Sequence, residues 1–257
     1  MLQTIATSAI TVLIFMIFMF IIAQVKKNNS IVDIGWGMGF ILISVVLSFT
    51  VEQTDKKDLL LLLMILLWGS RLSLHIFTRA RGKEEDFRYA QWRKDWGKHA
   101  VVQAFFKVFM LQGFLMLVIA FPIMVVFNSA NDQLNLFSYV GFLIFAFGFL
   151  FESVGDFQMF RFKKKPENKG KIITSGLWKF TRHPNYFGEA FLWWGVAVLA
   201  IGSDLFMLAF IGPLLLNLLL LFVSGVPLLE KKYEGNEAWE TYKKTTPKFI
   251  PFFGKRG

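Results

Sequence analysis

The 257-residue chain is 55% hydrophobic, carries 31 Phe and has a mean hydropathy of +0.51, which argues against an ordinary soluble domain. It has no cysteine, so disulfides, thiolate catalysis and cysteine-held metals are excluded. Its net charge of +10 sits in short segments between apolar runs and reads as membrane-face charge in contact with anionic lipid, with no nucleic-acid footprint.

Crossing the hydrocarbon takes roughly 17–25 mostly apolar residues as a helix. Seven stretches are candidates: 4–25, 31–51, 58–78, 101–127, 136–160, 186–201 and 205–226. The sixth is short, which places its polar neighbours at or just inside the interface. The first has no basic residue ahead of it and no small-residue cleavage signature, so it is expected to be a retained span and not a signal peptide. Of the 28 Lys and Arg, all but Lys56 and Lys57 lie in or beside Lys26–Ser30, Arg79–Ala100, Arg161–Arg182 and the tail after Val226. Those two are flanked by acids in "EQTDKKD". The expectation is an all-α polytopic membrane protein: one integral membrane domain over 1–257, seven helices, amino terminus outside and carboxyl terminus in the cytoplasm. A bacterial inner membrane suits so short a chain.

Ionisable groups inside such spans cost roughly 2.5–3.5 kcal/mol each at the helix centre, so each needs a reason. In the second span Asp33 opens "IVDIGWGMG", whose glycines at 35, 37 and 39 admit a close backbone or ligand. In the third, Arg71 and His75 lie four apart and Arg79 continues their face. At the end of the fifth, Glu152 and Asp156 repeat that spacing, with Arg161 just beyond. All belong to the expected cytoplasmic half. Each pair taken alone is as well explained by a structural ion pair, such as Asp33 with Arg71. The whole constellation reads better as a polar cavity. No GxGxxG fingerprint occurs, no segment between spans could hold a soluble dinucleotide domain, and the three histidines lie too far apart in sequence to suggest a metal site.

The segment 161–184 is basic and punctuated by Pro166, Gly170 and Gly176; the tail 229–253 reads as a charged helix with Tyr233, Trp239 and Tyr242. Between them lies "TRHPNYFGE", 181–189. Pro184 halts the preceding segment and favours starting a new helix at Asn185. Asn185 and Glu189 then share one face, with Trp193 one turn on. An amide beside a carboxylate suits a heteroaromatic ring bearing a carboxamide or amine. Arg182 and His183, at the helix amino terminus, are placed where anions are favoured. An interhelical clamp would use the same residue types.

The stretch "GLWKFTRHPNYFGE", preceded by "ESVGDFQMFRFKKKP" and followed by "YKKTTPKFIPFF", resembles the steroid 5-alpha-reductase superfamily. It looks closest to the bacterial DUF1295 branch, and resembles the sterol C14-reductases more distantly. The likeness covers about 30–253 and is strongest over 150–193. It implies a seven-helix membrane reductase using NADPH to reduce a conjugated carbon–carbon double bond in a lipophilic, steroid-like or isoprenoid-like substrate, which enters laterally from the bilayer. By that resemblance Asn185 and Glu189 contact the cofactor, joined by Tyr186, Trp193 and Asp156. Arg161 is a further cofactor contact, Lys164 and Lys171 attend its phosphates, Arg182 and His183 belong to the RHP form, and Tyr233 and Tyr242 line it. Asp33, Arg71 and His75 are the candidate catalytic set. The resemblance departs from pattern at the tyrosine that should help polarise the substrate carbonyl: Trp68 stands at the nearest position. The "RHP.Y.G" stretch, with Glu230, Tyr242 and Pro247, also resembles the isoprenylcysteine and phospholipid methyltransferases, which use S-adenosylmethionine. That cofactor has no phosphate to meet the Lys164–Lys171 bases.

Overall fold

The structure is a computed structural model that describes residues 1–51, 54–129 and 133–252. Glu52 of the acid-flanked turn and Phe253 of the tail lie outside the described residues. Apart from an isolated bridge between Ile201 and Ser203, the regular structure among the described residues is helical. Among the described residues six stretches are long and apolar enough to cross a membrane: Leu2–Lys26, Ile31–Ser48, Lys56–Ala80, Phe87–Ile119, Leu136–Lys164 and Phe206–Lys231. The expected sixth span, 186–201, is a helix of 16 residues, Pro184–Leu199, shorter than the roughly 17 residues a crossing needs.

The chain divides into two compact units, Met1–Ser138 with Leu199–Gly212, and Tyr139–Val198 with Pro213–Gly257. The first is built on α1 (Leu2–Lys26), α2 (Ile31–Ser48) and α3 (Lys56–Ala80). A Cβ on Gly69 of α3 would lie 2.6 Å from the carbonyl of Gly37 in α2. Gly37 therefore serves a close backbone approach, while Gly35 and Gly39 make room for the Met19 and Met116 side chains. Beside this seam Phe40, Ile43, Met64, Ile65 and Trp68 are wholly buried.

The fourth crossing differs from expectation. Helix α4 (Phe87–Trp96) starts fourteen residues earlier than the predicted 101, capped by the Asp86 carboxylate, which accepts from the Arg88 amide at 3.1 Å. It continues through α5 (Ala100–Ala104), a π-helical turn at Phe105–Met110 and α6 (Leu111–Ile119). The chain breaks at Ala120, ahead of Pro122, and α7 (Phe121–Phe127) follows.

In the second unit α8 (Leu136–Lys164) packs on α9 (Pro184–Leu199) through glycines spaced seven apart. Gly148 and Gly155 stand on one helix, Gly188 and Gly195 on the other. A Cβ on Gly148 would sit 2.5 Å from the Leu192 nitrogen, one on Gly188 2.6 Å from the Gly148 carbonyl, and one on Gly195 2.5 Å from the Phe145 nitrogen. The backbones touch with no side chain between them. After α10 (Phe206–Ala209) of the first unit come α11 (Ile211–Leu218), a second π turn, and α12 (Val226–Lys231). The tail is not one helix: it turns at Gly235, where φ is 79°, and restarts as α13 (Glu237–Thr245) with the Asn236 side chain capping the Trp239 amide at 3.1 Å.

Candidate functional site

In the second unit the start of α9 and the tail are laced together. The Arg182 amide donates to Pro247 O at 2.9 Å, the Phe252 amide to Phe180 O at 3.0 Å, and the Thr181 hydroxyl to Phe249 O at 2.7 Å. The Tyr242 hydroxyl donates to Trp178 O, and the Trp178 indole donates to Gly155 O of α8 at 3.1 Å. Tyr242 therefore spends its hydroxyl on the backbone and acts by positioning. Tyr233 stacks on Trp239, and the Arg182 guanidinium lies 5.8 Å from the centre of the Trp239 ring.

At the centre of this lacing is Glu230. Its Oε1 accepts from Arg182 Nε at 3.0 Å and meets His183 Nε2 at 3.0 Å, while Arg182 Nη1 donates to Lys243 O at 3.1 Å. Arg182 and His183 are buried. The anion that the sequence placed at this helix start is thus Glu230, and the two bases are committed to it in place of an incoming phosphate.

His183 is 3% exposed, and burial, set against its hydrogen bond to Glu230, pushes its pKa below the usual histidine value. The ring is therefore neutral near pH 7, and with Nε2–H given to Glu230 its Nδ1 carries a lone pair. Among the described residues that Nδ1 is buried without a partner, and so is Oδ1 of Asn185 two residues on. Two acceptors with no protein donor stand at one helix start. Tyr186 stacks on His183 with ring centres 5.8 Å apart; Glu189 is half-buried, and Trp193 is buried one turn further.

The depressed histidine pKa has a testable sign. In the window from about 6.5, the value in an unfolded chain, down to the folded value, the unfolded state takes a proton that the folded state refuses. The stability from this group is complete above that window and is lost as pH falls through it. The thermal midpoint in detergent is expected to decline below about pH 6.5, and more steeply than in His183→Gln. Parallel profiles would refute it.

The other expected cofactor residues stand on α8 and in the loop after it. Asp156 is half-buried on α8, beside Gly155, where a Cβ would come 3.2 Å from the Asn185 nitrogen. Arg161, Lys164 and Lys171 are exposed.

In the first unit Asp33 takes Tyr89 and Arg88 as partners, where Arg71 was the expected one. The Tyr89 hydroxyl donates to Asp33 Oδ1 at 2.7 Å and accepts from Gln112 Nε2 at 3.1 Å; Arg88 Nη2 meets Asp33 Oδ2 at 3.3 Å. Arg71 and His75 are half-buried on α3. The tyrosine hydroxyl that meets Asp33 thus comes from α4, outside the second and third spans. Sequence reading missed it because "FRYAQWRKDW" is so charged that it passed for a loop. Its aromatic spacing, Tyr89, Trp92 and Trp96, was the available signal.

Helices of this length and apolarity make the chain a multi-pass integral membrane protein, with buried Arg182 and His183 held on Glu230 in one unit and an Asp–Tyr pair in the other. Residues 19–246 match the family described as "Protein of unknown function (DUF1295)", and the chain belongs to that family. A curated relative, "Probable O-methyltransferase ustE" of Ustilaginoidea virens, is 50% identical over 54 residues, which are 21% of this chain and 18% of that protein. The chain thus matches less than a fifth of that relative's length. No solved structure matches.

Proposed function

We propose that this protein is a membrane-embedded, NADPH-dependent reductase of a conjugated carbon–carbon double bond in a lipophilic substrate, with its carboxyl terminus in the cytoplasm. The observation that carries the reading is the pair of buried acceptors, Asn185 Oδ1 and His183 Nδ1. Buried polar atoms are rarely left unpaired, and those that are point to a partner that binds there. A carboxamide brings N–H donors, so the residues present fit the ring end of a nicotinamide. When bound, NADPH would supply the hydride.

The chain's own residues would do the rest. Asn185, with Glu189 on the same face, would hold and orient the ring, flanked by Tyr186 and Asp156; Trp193 closes the apolar side below. Lys164 and Lys171, exposed near the end of α8 and in the following loop, would meet phosphate oxygens. Arg182, His183, Tyr233 and Tyr242 would keep the tail against the start of α9. The candidate acid is the Asp33–Tyr89 pair, with Arg71 and His75 further candidates. The Tyr89 hydroxyl now donates its hydrogen bond to Asp33; with a proton on Asp33, it would be released to donate to a substrate oxygen, with Gln112 fixing its position.

A second reading, methyl transfer from S-adenosylmethionine, is favoured by the printed name of the partial relative. That ligand also brings N–H donors but no phosphate. Titrating NADPH, NADH and S-adenosylmethionine separately against thermal stability in mild detergent decides between them. At 100 times its dissociation constant, a ligand specific to the folded state adds about 2.7 kcal/mol. NADPH is expected to stabilise, Asn185→Ala and Glu189→Ala to weaken its binding at least tenfold, and Tyr89→Phe to lower turnover with affinity retained. Stabilisation by S-adenosylmethionine alone would replace this reading with the second.

A further inference from the structure

Along α8 the exposed side chains form a continuous lane. Leu143, Phe147, Leu150, Val154 and Phe157 recur at alternating spacings of four and three, and are 65%, 48%, 61%, 41% and 58% exposed. The lane rises about 21 Å at 1.5 Å per residue, more than one leaflet's share, roughly 15 Å, of the hydrocarbon. It leads into a cleft of about 490 Å³ at the end of the helix, where Arg161 and Lys165 continue the same lane.

The cleft is built from two segments. Across from α8 stand Ile173 and Ser175 of the following loop. That loop is pinned to the helix by Asn168 Nδ2 donating to Phe162 O at 2.9 Å and by the Leu177 amide donating to Gln158 Oε1 at 2.9 Å. The second bond fixes the Gln158 amide and leaves its Nε2 as a donor. Arg161 lies over the Phe157 ring, 5.7 Å from its centre. Among the described residues neither Arg161 nor Lys165 is paired with a carboxylate, and no acid lines the cleft. Complementing the carbonyl end of α8 would account for bases in its last turn. It would not account for a second wall bringing Ser175, or for the apolar lane that runs into the cleft.

We propose that this cleft binds one acidic phospholipid, its phosphate held by Arg161 and Lys165 and an acyl chain lying along the Leu143–Phe157 lane. A guanidinium fork and an ammonium, with an amide and a hydroxyl beside them, suit the phosphodiester. Arg161, expected to contact the cofactor, belongs to this lipid instead.

The test uses the full chain purified in a neutral detergent. Its thermal midpoint is followed while phosphatidylglycerol or phosphatidylcholine with the same acyl chains is added. Phosphatidylglycerol is expected to raise the midpoint saturably and phosphatidylcholine not to. Arg161→Gln/Lys165→Gln should weaken the apparent affinity at least tenfold, and Lys169→Gln/Lys244→Gln, exposed bases outside the cleft, less than twofold. The target side chains are exposed, so the ligand-free midpoint should hold; if the double variant does not purify, Lys165→Gln alone carries the comparison. Equal response to both lipids, or equal loss in both double variants, would overturn the proposal. So would full protection by glycerophosphoglycerol, which has no acyl chains and would mark a site for free phosphate. Protection by NADPH that depends on Arg161 and Lys165, with none from phosphatidylglycerol, would return the cleft to the cofactor.

Discussion

Replacing Gly188 by leucine is expected to destroy the α8–α9 pairing and to lower stability by more than about 3 kcal/mol, the upper end of ordinary overpacking costs. The cause is the absence of any side chain at the crossing. A Cβ at position 188 would sit 2.6 Å from the Gly148 carbonyl and 2.8 Å from the Glu152 Cα, and a helix backbone cannot turn aside as a side-chain tip can. Lipid tails are as apolar as a leucine, so a bundle in the bilayer has no hydrophobic drive to re-close a separated pair. Close packing at small residues is what holds it. Gly170→Ala is the control. Gly170 has φ of 80° with nothing within reach of a Cβ, so it should cost only the left-handed backbone strain, about 1–2 kcal/mol. Thermal unfolding in one detergent compares the two. A Gly188→Leu protein no less stable than Gly170→Ala would mean that the helices can part without penalty.

How much of this was readable depends on which residue carries the information. Five crossings were legible because apolar length is a local property: α1, α2, α3, α8 and the 206–231 stretch all lie close to their predicted positions. The start of α9 was legible too, since Pro184 fixes it without help from distant residues. The fourth crossing was misplaced because α4 is polar on average and its aromatic face has meaning only once Tyr89 reaches Asp33. The tail was drawn as one helix because its composition suits a helix throughout, while Gly235 and Asn236 break it by conformation and capping. The glycines at 148, 155, 188 and 195 were visible as letters, but spacing alone does not say that Gly148 faces Gly188 or that all four line one helix contact. Glu230 shows the same limit: 47 residues separate it from the histidine it meets, and nothing local pairs them.

Removing Arg182 is the second large effect. Arg182→Ala would leave Glu230, 19% exposed in its side chain, with a neutral histidine as its remaining hydrogen-bond donor. Breaking a fully buried pair from one side costs about 3–5 kcal/mol, mostly from the charge left behind, and the partial exposure of Glu230 puts the expected loss at the lower end of that range. The change also removes the donor to Lys243 O and the contact with Trp239, so the loosening should extend into α13. Arg182→Ala/Glu230→Gln is expected to recover part of the loss, because no uncompensated charge remains. Arg182→Lys keeps the charge but lacks the fork that reaches Glu230 and Lys243 together, so it should fall between wild type and Ala. If the cluster's purpose is to position the start of α9, NADPH affinity should fall in that same order, tracking the geometry and not the charge. If Arg182→Lys instead binds as tightly as wild type while Arg182→Ala does not bind, the arginine serves the ligand as a charge, and Glu230 is only its resting partner.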